Sequence, residues 1–254
     1  MAFCELKYFS SALQKQTAAD LILPEPKQAG PFAVLYLLHG LSDDHTIWQR
    51  RTSIERYVAG LPLIVVMPDT GRGWYIDAIE GMAWESAIAG DLVSYVDGLF
   101  HTRANRGGRC LAGLSMGGYG AIKLALRFPD RFCAAVSHSG ALAFAHHAMP
   151  ANADAHWRAE VTRIVGESPT SGPHDLFTLA ERLPPDDRPA LRIDCGRDDF
   201  LIEDNREFHA HLNEHGYQHQ YAEHAGAHTW AYWDLHIQET LAFLAAQLGI
   251  TAGT

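Results

Sequence analysis

Residues 109–120 read RCLAGLSMGGYG, an apolar run that leads into a turn crowded with glycine. The apolar segment at 121–128 continues with the character of a helix, so a strand, a sharp turn and a helix are predicted in this order. Residues 113–117 fit the pattern G-x-S-x-G, in which a strained turn lifts a serine hydroxyl clear of a sheet. This pattern makes Ser115 the candidate nucleophile.

The glycines beside this serine have a steric reason. Strand and helix approach each other so closely at such a turn that a Cβ would not fit. The helix that follows also points its free N–H groups and the positive end of its dipole toward the hydroxyl. The pattern alone is weak, because a glycine-rich turn without chemistry has the same letters. Its context favours catalysis, since an acid and a histidine follow later in the chain in the required order.

The length of 254 residues suits one α/β domain, and we expect a single domain over 1–254. A formal net charge of -10 argues against a nucleic-acid partner and an anionic membrane surface, because both attract Lys and Arg. No apolar run has the length of a membrane span, and no secretory signal is evident, although a chain whose signal had been removed would look the same. We therefore expect a cytoplasmic protein with no membrane partner.

The four cysteines lack the spacing of a metal site. Cys110, Cys133 and Cys195 each fall in a predicted buried strand, and we expect core thiols, as in a reducing compartment. His211 and His215 lie four residues apart and could chelate a metal together, but no third ligand is evident. Neither a metal nor a cofactor is predicted.

Apolar runs of strand length alternate with helical segments along the chain. Besides the run before Ser115, strands are predicted at 3–9, 17–23, 32–38, 61–67, 132–137, 191–195 and 218–223, the first two at sheet edges. Further helices are predicted at 48–59, 85–100, 175–182, 205–215 and 234–248. This alternation predicts an α/β fold, with a mostly parallel sheet and helices on both faces. The ligand site is expected beyond the carboxyl ends of the strands.

The segment at 139–189 interrupts the alternation. It is rich in Ala, His, Pro and polar residues, with one short helix predicted near its end. We interpret it as a small insertion over the strand ends. It could be a cap on the site or a surface excursion, and its position favours a cap.

A serine hydroxyl needs a base to remove its proton, and imidazole titrates near neutrality. With this turn, the acid follows a later strand and the histidine follows the last one. Asp198 and Asp199 both qualify by position, and Asp199 is preferred because strand-Gly-x-x-Asp is the usual offset, which leaves Asp198 as a loop or surface charge. Among 15 histidines, His228 lies in the loop before the last helix and is the predicted base, with His224 as its rival.

Two backbone N–H groups must bind the oxyanion that forms when the serine attacks a carbonyl. We predict the N–H of Met116, directly after the nucleophile, and the N–H of Leu41, in the loop after the strand at 32–38. His39 in the same loop is predicted to be a buried, hydrogen-bonded structural imidazole.

An aromatic wall could limit the acyl group to a short chain. Candidates for this substrate pocket lie in loops near the predicted cleft: Trp74, Tyr75, Trp84 and Trp230, with Trp233 nearby. Packing of several of these rings in the core or under a cap is an equally good interpretation.

Four stretches together resemble the esterase D group of α/β-hydrolases. They are residues 37–45 with Trp48, 112–121, 194–201, and 226–230 with Trp233. This group includes S-formylglutathione hydrolases, bacterial tributyrin and acetyl esterases, feruloyl esterases and mycolyltransferases. The intracellular tributyrin-esterase branch is the most similar. One departure is Arg197-Asp198 before Asp199, where such relatives usually carry Thr-Glu.

The resemblance implies an α/β-hydrolase fold with Ser115, Asp199 and His228 as the catalytic triad and with Leu41 and Met116 as oxyanion donors. It also implies carboxylester hydrolysis without metal or cofactor. The expected function is a serine carboxylesterase for small-molecule acyl esters from acetyl to butyryl, as a monomer or a homo-oligomer. The alternatives are an S-formylglutathione hydrolase, which needs the same triad, and a catalytically silent scaffold that only binds.

Overall fold

The computed structural model of the chain describes residues 1–25 and 28–252. The predicted domain end at 254 lies outside the described residues. The strands form a single sheet in the order β1-β2-β4-β3-β5-β6-β7-β8. Their bounds are β1 (Ala2–Ser10), β2 (Lys15–Leu23), β3 (Ala33–Leu38), β4 (Leu63–Pro68), β5 (Arg109–Leu114), β6 (Ala134–His138), β7 (Ala190–Gly196) and β8 (His219–His224).

The pairing confirms the mostly parallel sheet. Strands β4, β3, β5, β6, β7 and β8 are parallel to one another, whereas β2 is antiparallel to both β1 and β4. The prediction that the first two strands both lie at sheet edges is wrong for β2. It lies between β1 and β4, so within residues 1–25 and 28–252 the sheet edges belong to β1 and β8.

Helices cover both faces of the sheet, as predicted. They are α1 (Ile47–Arg51), α2 (Ile54–Tyr57), α3 (Trp84–Ser86), a π-helical stretch (Ala87–Leu92), α4 (Val93–Leu99), α5 (Met116–Arg127), α6 (Ala155–Val165), α7 (Leu176–Arg182), α8 (Ile202–Glu214) and α9 (Trp230–Leu248). Helices α1, α2 and α9 pack on the face that includes Leu35 and Val65. Helices α4, α5, α7 and α8 pack on the face that includes Tyr36 and Val66. Because β3 and β4 are buried on both faces, their sequences read as unbroken apolar runs.

The predicted helix at 48–59 is two short helices. Thr52 has an extended conformation, with φ -131° and ψ 172°, and its hydroxyl donates to the Trp48 carbonyl over 2.5 Å. The next N–H, that of Ser53, donates to Asp234 Oδ1 over 2.8 Å. These side-chain bonds replace helical ones and end α1 at Arg51.

The segment at 139–189 contains a helix that was not predicted, α6, before the predicted α7. Asp154 caps it by accepting hydrogen bonds from the N–H groups of His156 and Trp157. An apolar stripe at Trp157, Val161 and Val165 has the i, i+4 spacing of a helix. The composition of the segment obscured these two signals.

Cys110 and Cys195 are buried in strands as predicted, but Cys133 is not. It lies just before β6 and is half-buried. Burial raises the pKa of all three thiols, that of Cys195 to about 12. They are therefore protonated and unreactive near neutral pH.

Candidate active site

Ser115 lies alone between β5 and α5 in a strained turn. Its backbone angles, φ 53° and ψ -119°, define a conformation that L-residues rarely adopt. A Cβ on Gly113 would lie 2.4 Å from the Gly117 carbonyl oxygen, and one on Gly117 would lie 2.5 Å from the His39 carbonyl oxygen. Because Gly113 and Gly117 have no side chain, β5 and α5 can approach each other closely on either side of Ser115. This close approach explains the glycines of the motif.

This strain predicts an unusual order of stability. We expect Ser115→Gly to be more stable than Ser115→Ala by about 1 kcal/mol, because relief of about 1–3 kcal/mol of strain exceeds the entropic cost of glycine. Thermal unfolding should show a Tm higher by about 2–4 °C for the glycine variant. At the exposed Ser11, which has no positive φ, the same pair of substitutions should give the opposite order. Equal or lower stability of Ser115→Gly would argue against strain at this turn.

Asp199 and His228 meet beyond the ends of β7 and β8. The imidazole Nδ1 of His228 lies 3.0 and 2.9 Å from the two carboxylate oxygens of Asp199. The Asp199 side chain is fully buried, whereas the His228 side chain is 19% exposed. The Leu201 N–H also donates to Asp199 Oδ1, over 2.9 Å. Desolvation raises the pKa of Asp199, but its hydrogen bonds from His228, Leu201 and Ser139 hold it below the ordinary value, so the carboxylate is ionised.

The rival residues lie elsewhere. Asp198 is exposed. The ring of His224 stacks on that of His236 with centroids 4.0 Å apart, away from Asp199. The unusual Arg197 donates to the Glu223 carbonyl over 3.1 Å, so this arginine binds backbone rather than the acid.

Ser115 lines a cavity, and Phe200, another lining residue, lies next to the histidine. The Phe200 and His228 ring centroids are 4.5 Å apart. Ser115 Oγ has no hydrogen-bond partner among the described residues. In active sites without substrate, such a bond is often long and tightens only in the complex.

Trp233 and Ser139 contact the pair formed by His228 and Asp199. The Trp233 ring meets the His228 ring edge-on, with centroids 4.9 Å apart, and its Nε1 donates to Ser139 Oγ over 3.3 Å. Ser139 also hydrogen-bonds Asp199 and has a φ of 46°, so it joins the tryptophan to the acid. The role of Ser139 was missed, since only its backbone conformation and contacts mark it.

The two predicted oxyanion donors have no acceptor in the described part of the chain. Within residues 1–25 and 28–252, neither the Leu41 N–H nor the Met116 N–H donates to a protein acceptor. Leu41 lines the cavity beside Ser115. His39 holds this loop, since its Nδ1 lies 2.8 Å from the Gly40 carbonyl oxygen and its Nε2 accepts from the Thr70 N–H over 3.0 Å. Burial lowers the pKa of His39 and keeps it neutral, which confirms the structural role predicted for it.

The cavity has a volume of about 620 Å³. Most of its lining residues lie between 141 and 169, in the insertion. Trp74 lines it too and stacks on Phe144, with ring centroids 3.6 Å apart and planes at 8°. Two stacked aromatic rings therefore line the cavity, and the second of them comes from the insertion.

The other three predicted pocket residues do not line this cavity. Tyr75 is fully buried in the core, and its hydroxyl donates to the His39 carbonyl over 2.9 Å. Trp84 packs with Leu13 in a separate small cluster. Trp230 packs edge-on against Trp48, with centroids 5.4 Å apart, in the core of the other sheet face. Tyr75 and Trp84 pack in cores and the half-buried Trp230 packs against one, so the pocket role of these three rings stays a prediction that the lining of this cavity does not support.

Arg72 joins the insertion to the loop that carries Leu41. Arg72 makes a two-pronged bond to Glu160 of α6, with N···O distances of 2.5 and 2.7 Å. Its third nitrogen donates to Ser42 Oγ over 2.9 Å, next to Leu41. The hydrogen bonds from Arg72 hold the pKa of Glu160 below its ordinary value.

His174 of the insertion predicts a pH dependence of stability. Burial, with the nearby charge of Lys123, lowers its pKa to about 4, and its buried Nδ1 has no partner among the described residues. The unfolded chain binds a proton here below pH about 6.5, whereas the folded chain does so only near 4. Stability should therefore fall as the pH drops through this window.

Urea unfolding at pH 7 and pH 5 measures this loss. The loss of unfolding free energy between the two pH values should be smaller in His174→Gln than in the wild type. In the control His215→Gln, which changes an exposed histidine, the loss should equal that of the wild type. Equal losses in all three proteins would contradict the prediction.

Comparisons with known proteins come from sequence and from structure. Residues 10–244 match the family model "Esterase", described as "Putative esterase". An acetyl esterase of Caldicellulosiruptor saccharolyticus is 27% identical, over 96% of this chain and 98% of the relative. The fluorophosphonate-binding serine hydrolase FphF of Staphylococcus aureus is 31% identical with a TM-score of 0.85, over 96% and 98% of the two chains. The S-formylglutathione hydrolase FrmB of the same organism is 32% identical with a TM-score of 0.82, over 96% and 98%.

These similarities confirm the α/β-hydrolase fold and the resemblance drawn from the motifs. In the part of the chain that the structure describes, no helix is both long and apolar enough to cross a bilayer.

Proposed function

The chain belongs to the esterase family, in the group with esterase D and the S-formylglutathione hydrolases, and from this premise we propose that Ser115, Asp199 and His228 form its catalytic triad. The pairing of the His228 imidazole with the ionised Asp199 carboxylate, next to the cavity that Ser115 lines, carries this proposal. Trp233 and Ser139 would keep the imidazole and the carboxylate in place as positioning residues.

Hydrolysis proceeds in two stages. The imidazole of His228 takes the proton of Ser115 Oγ as the oxygen attacks the acyl carbon, and Asp199 stabilises the imidazolium through Nδ1–H. The N–H groups of Leu41 and Met116 bind the oxyanion. The oxyanion then collapses and expels the alcohol, which takes the proton from His228. Water, activated by the same imidazole, attacks the acyl-enzyme and releases the acid.

The substrate is a small-molecule ester with an acyl group from acetyl to butyryl. An acetyl esterase is among the relatives, which supports the lower end of this range. A cavity of about 620 Å³ is typical of sites for drug-sized ligands, so it also has room for part of the alcohol or for a longer acyl chain. The segment at 139–189 acts as a cap of the single domain, since its residues line the cavity and Arg72 fastens its helix α6.

An S-formylglutathione hydrolase is the second candidate, because a solved structure with that activity in its name is 32% identical. A panel of p-nitrophenyl acetate, p-nitrophenyl butyrate and S-formylglutathione separates the two by kcat/KM. We expect a higher kcat/KM for each of the two esters than for the thioester. A thioester preference above tenfold would overturn the ester assignment. A folded protein that no fluorophosphonate probe labels would instead be a silent scaffold.

Two sequence predictions stay predictions, a cytoplasmic location and catalysis without metal or cofactor, and the choice between a monomer and a homo-oligomer stays open. Ester hydrolysis that survives chelation would support the second of these predictions.

A further inference from the structure

Three side chains outside the catalytic site converge between β8 and α9. They are His224 at the end of β8, and His236 and Glu239, one turn apart on α9. One ligand atom from each lies within 4.8 Å of the others. The two imidazole rings stack in parallel, with centroids 4.0 Å apart and planes at 18°. The stacking presents both rings to one carboxylate.

The separations match those of ligands on a common ion. His236 Nδ1 lies 3.0 Å from Glu239 Oε1, and His224 Nε2 lies 3.7 Å from Glu239 Oε2. Metal–ligand bonds of this kind are about 2.0–2.2 Å long. If the ligand–metal–ligand angle lies between a right angle and slightly more than the tetrahedral angle, the two ligand atoms are about 2.9–3.7 Å apart. The second distance is too long for a hydrogen bond but suits two ligands of one metal.

A buried atom supports a metal site independently. His224 Nε2 is buried and has no hydrogen-bond partner in the described part of the chain. Such atoms are rare in folded proteins, and a bound ion can satisfy them.

Arg192 narrows the choice of ion. It donates to Glu239 Oε2, the oxygen that lies 3.7 Å from His224 Nε2, and so partly neutralises the site. Hard cations such as Ca²⁺ and Mg²⁺ need several oxygen ligands and negative charge, which this site lacks. Two imidazoles and one carboxylate suit zinc-like transition metals.

We propose that His224, His236 and Glu239 form a binding site for a divalent transition-metal ion of the zinc type. The site has no part in the proposed ester hydrolysis. Its ligands lie on β8 and α9, the two elements on either side of the loop 225–229, which carries His228. An ion bound there would hold both ends of that loop in place.

Zn²⁺ titration of the chelator-treated full chain tests the proposal, with calorimetry for stoichiometry and the visible spectrum of Co²⁺ for geometry. We expect one ion per chain and a tetrahedral Co²⁺ spectrum. His224→Gln and Glu239→Gln should each weaken binding at least tenfold, because even residues around metal ligands typically contribute about 10–100-fold.

A second group, His146, His147 and Glu207, provides the matched control. It is less ready to bind, because Asp175 already holds His146 Nδ1 at 3.1 Å and the His147 side chain is 57% exposed. His147→Gln should leave Zn²⁺ affinity unchanged. Loss of binding in His147→Gln, unchanged affinity in both His224→Gln and Glu239→Gln, or no stoichiometric binding in the wild type would each overturn the proposal.

Discussion

Ser115→Ala is expected to lower kcat for p-nitrophenyl butyrate by about 10⁴–10⁶-fold, with little change in KM. The variant removes the atom that forms the acyl-enzyme, while the cavity that binds the ester is left intact. Its residual activity should come from the oxyanion donors and from binding alone. The alanine keeps a Cβ in the same strained turn, so the fold should be retained.

Two measurements test whether the loss of kcat is caused by removal of the Ser115 hydroxyl. Ser11→Ala, an exposed serine in the turn between β1 and β2, should match the wild type in kcat and Tm. A fluorophosphonate probe should label the wild type and Ser11→Ala but not Ser115→Ala. A loss below tenfold in a folded Ser115→Ala would rule out this serine as the nucleophile.

Asp199→Asn should lower kcat by about 10⁴-fold, because an amide can hold the imidazole in the wrong tautomer and cannot stabilise the imidazolium. Asp198→Asn is the matched control, since it changes the adjacent exposed carboxylate and should keep kcat within about twofold of the wild type. The two variants remove the same charge one residue apart, so the comparison isolates the hydrogen bonds to His228.

The double variant Ser115→Ala/Asp199→Asn extends this test. Residues that act as a unit are not additive, so it should be about as slow as Ser115→Ala alone. Because the Asp199 side chain is fully buried, Tm should be recorded for each variant to separate a catalytic loss from unfolding. Equal kcat values for the Asp198 and Asp199 variants would contradict the assigned acid.

The central sheet was predictable because burial and sequence are directly linked there. Strands β3 and β5 are covered on both faces, so few residues other than apolar ones fit, and both strands were found within a residue or two. The turn at Ser115 was predictable because its close contacts exclude a Cβ at Gly113 and Gly117. Such local steric rules leave a mark in the sequence.

The pocket was not predictable from the same signals. Trp74 and Tyr75 are neighbours with positive φ, yet Trp74 faces the cavity and Tyr75 the core. The path of the loop decides between them, and that path depends on distant contacts such as the hydrogen bond from Tyr75 to the His39 carbonyl. The break after Arg51 is similar, since it involves Asp234, which is far away in sequence.

The bond from Arg72 to both Glu160 and Ser42 has a consequence for protein engineering. Chimeras that receive the residue 139–189 segment of another relative would lose this link unless the donor segment also supplies a carboxylate at position 160. Without that carboxylate, the arginine would lose its ionic partner and the loop carrying Leu41 would lose one of its anchors. Segment exchange in this scaffold should therefore transfer the acid and the arginine as a matched pair.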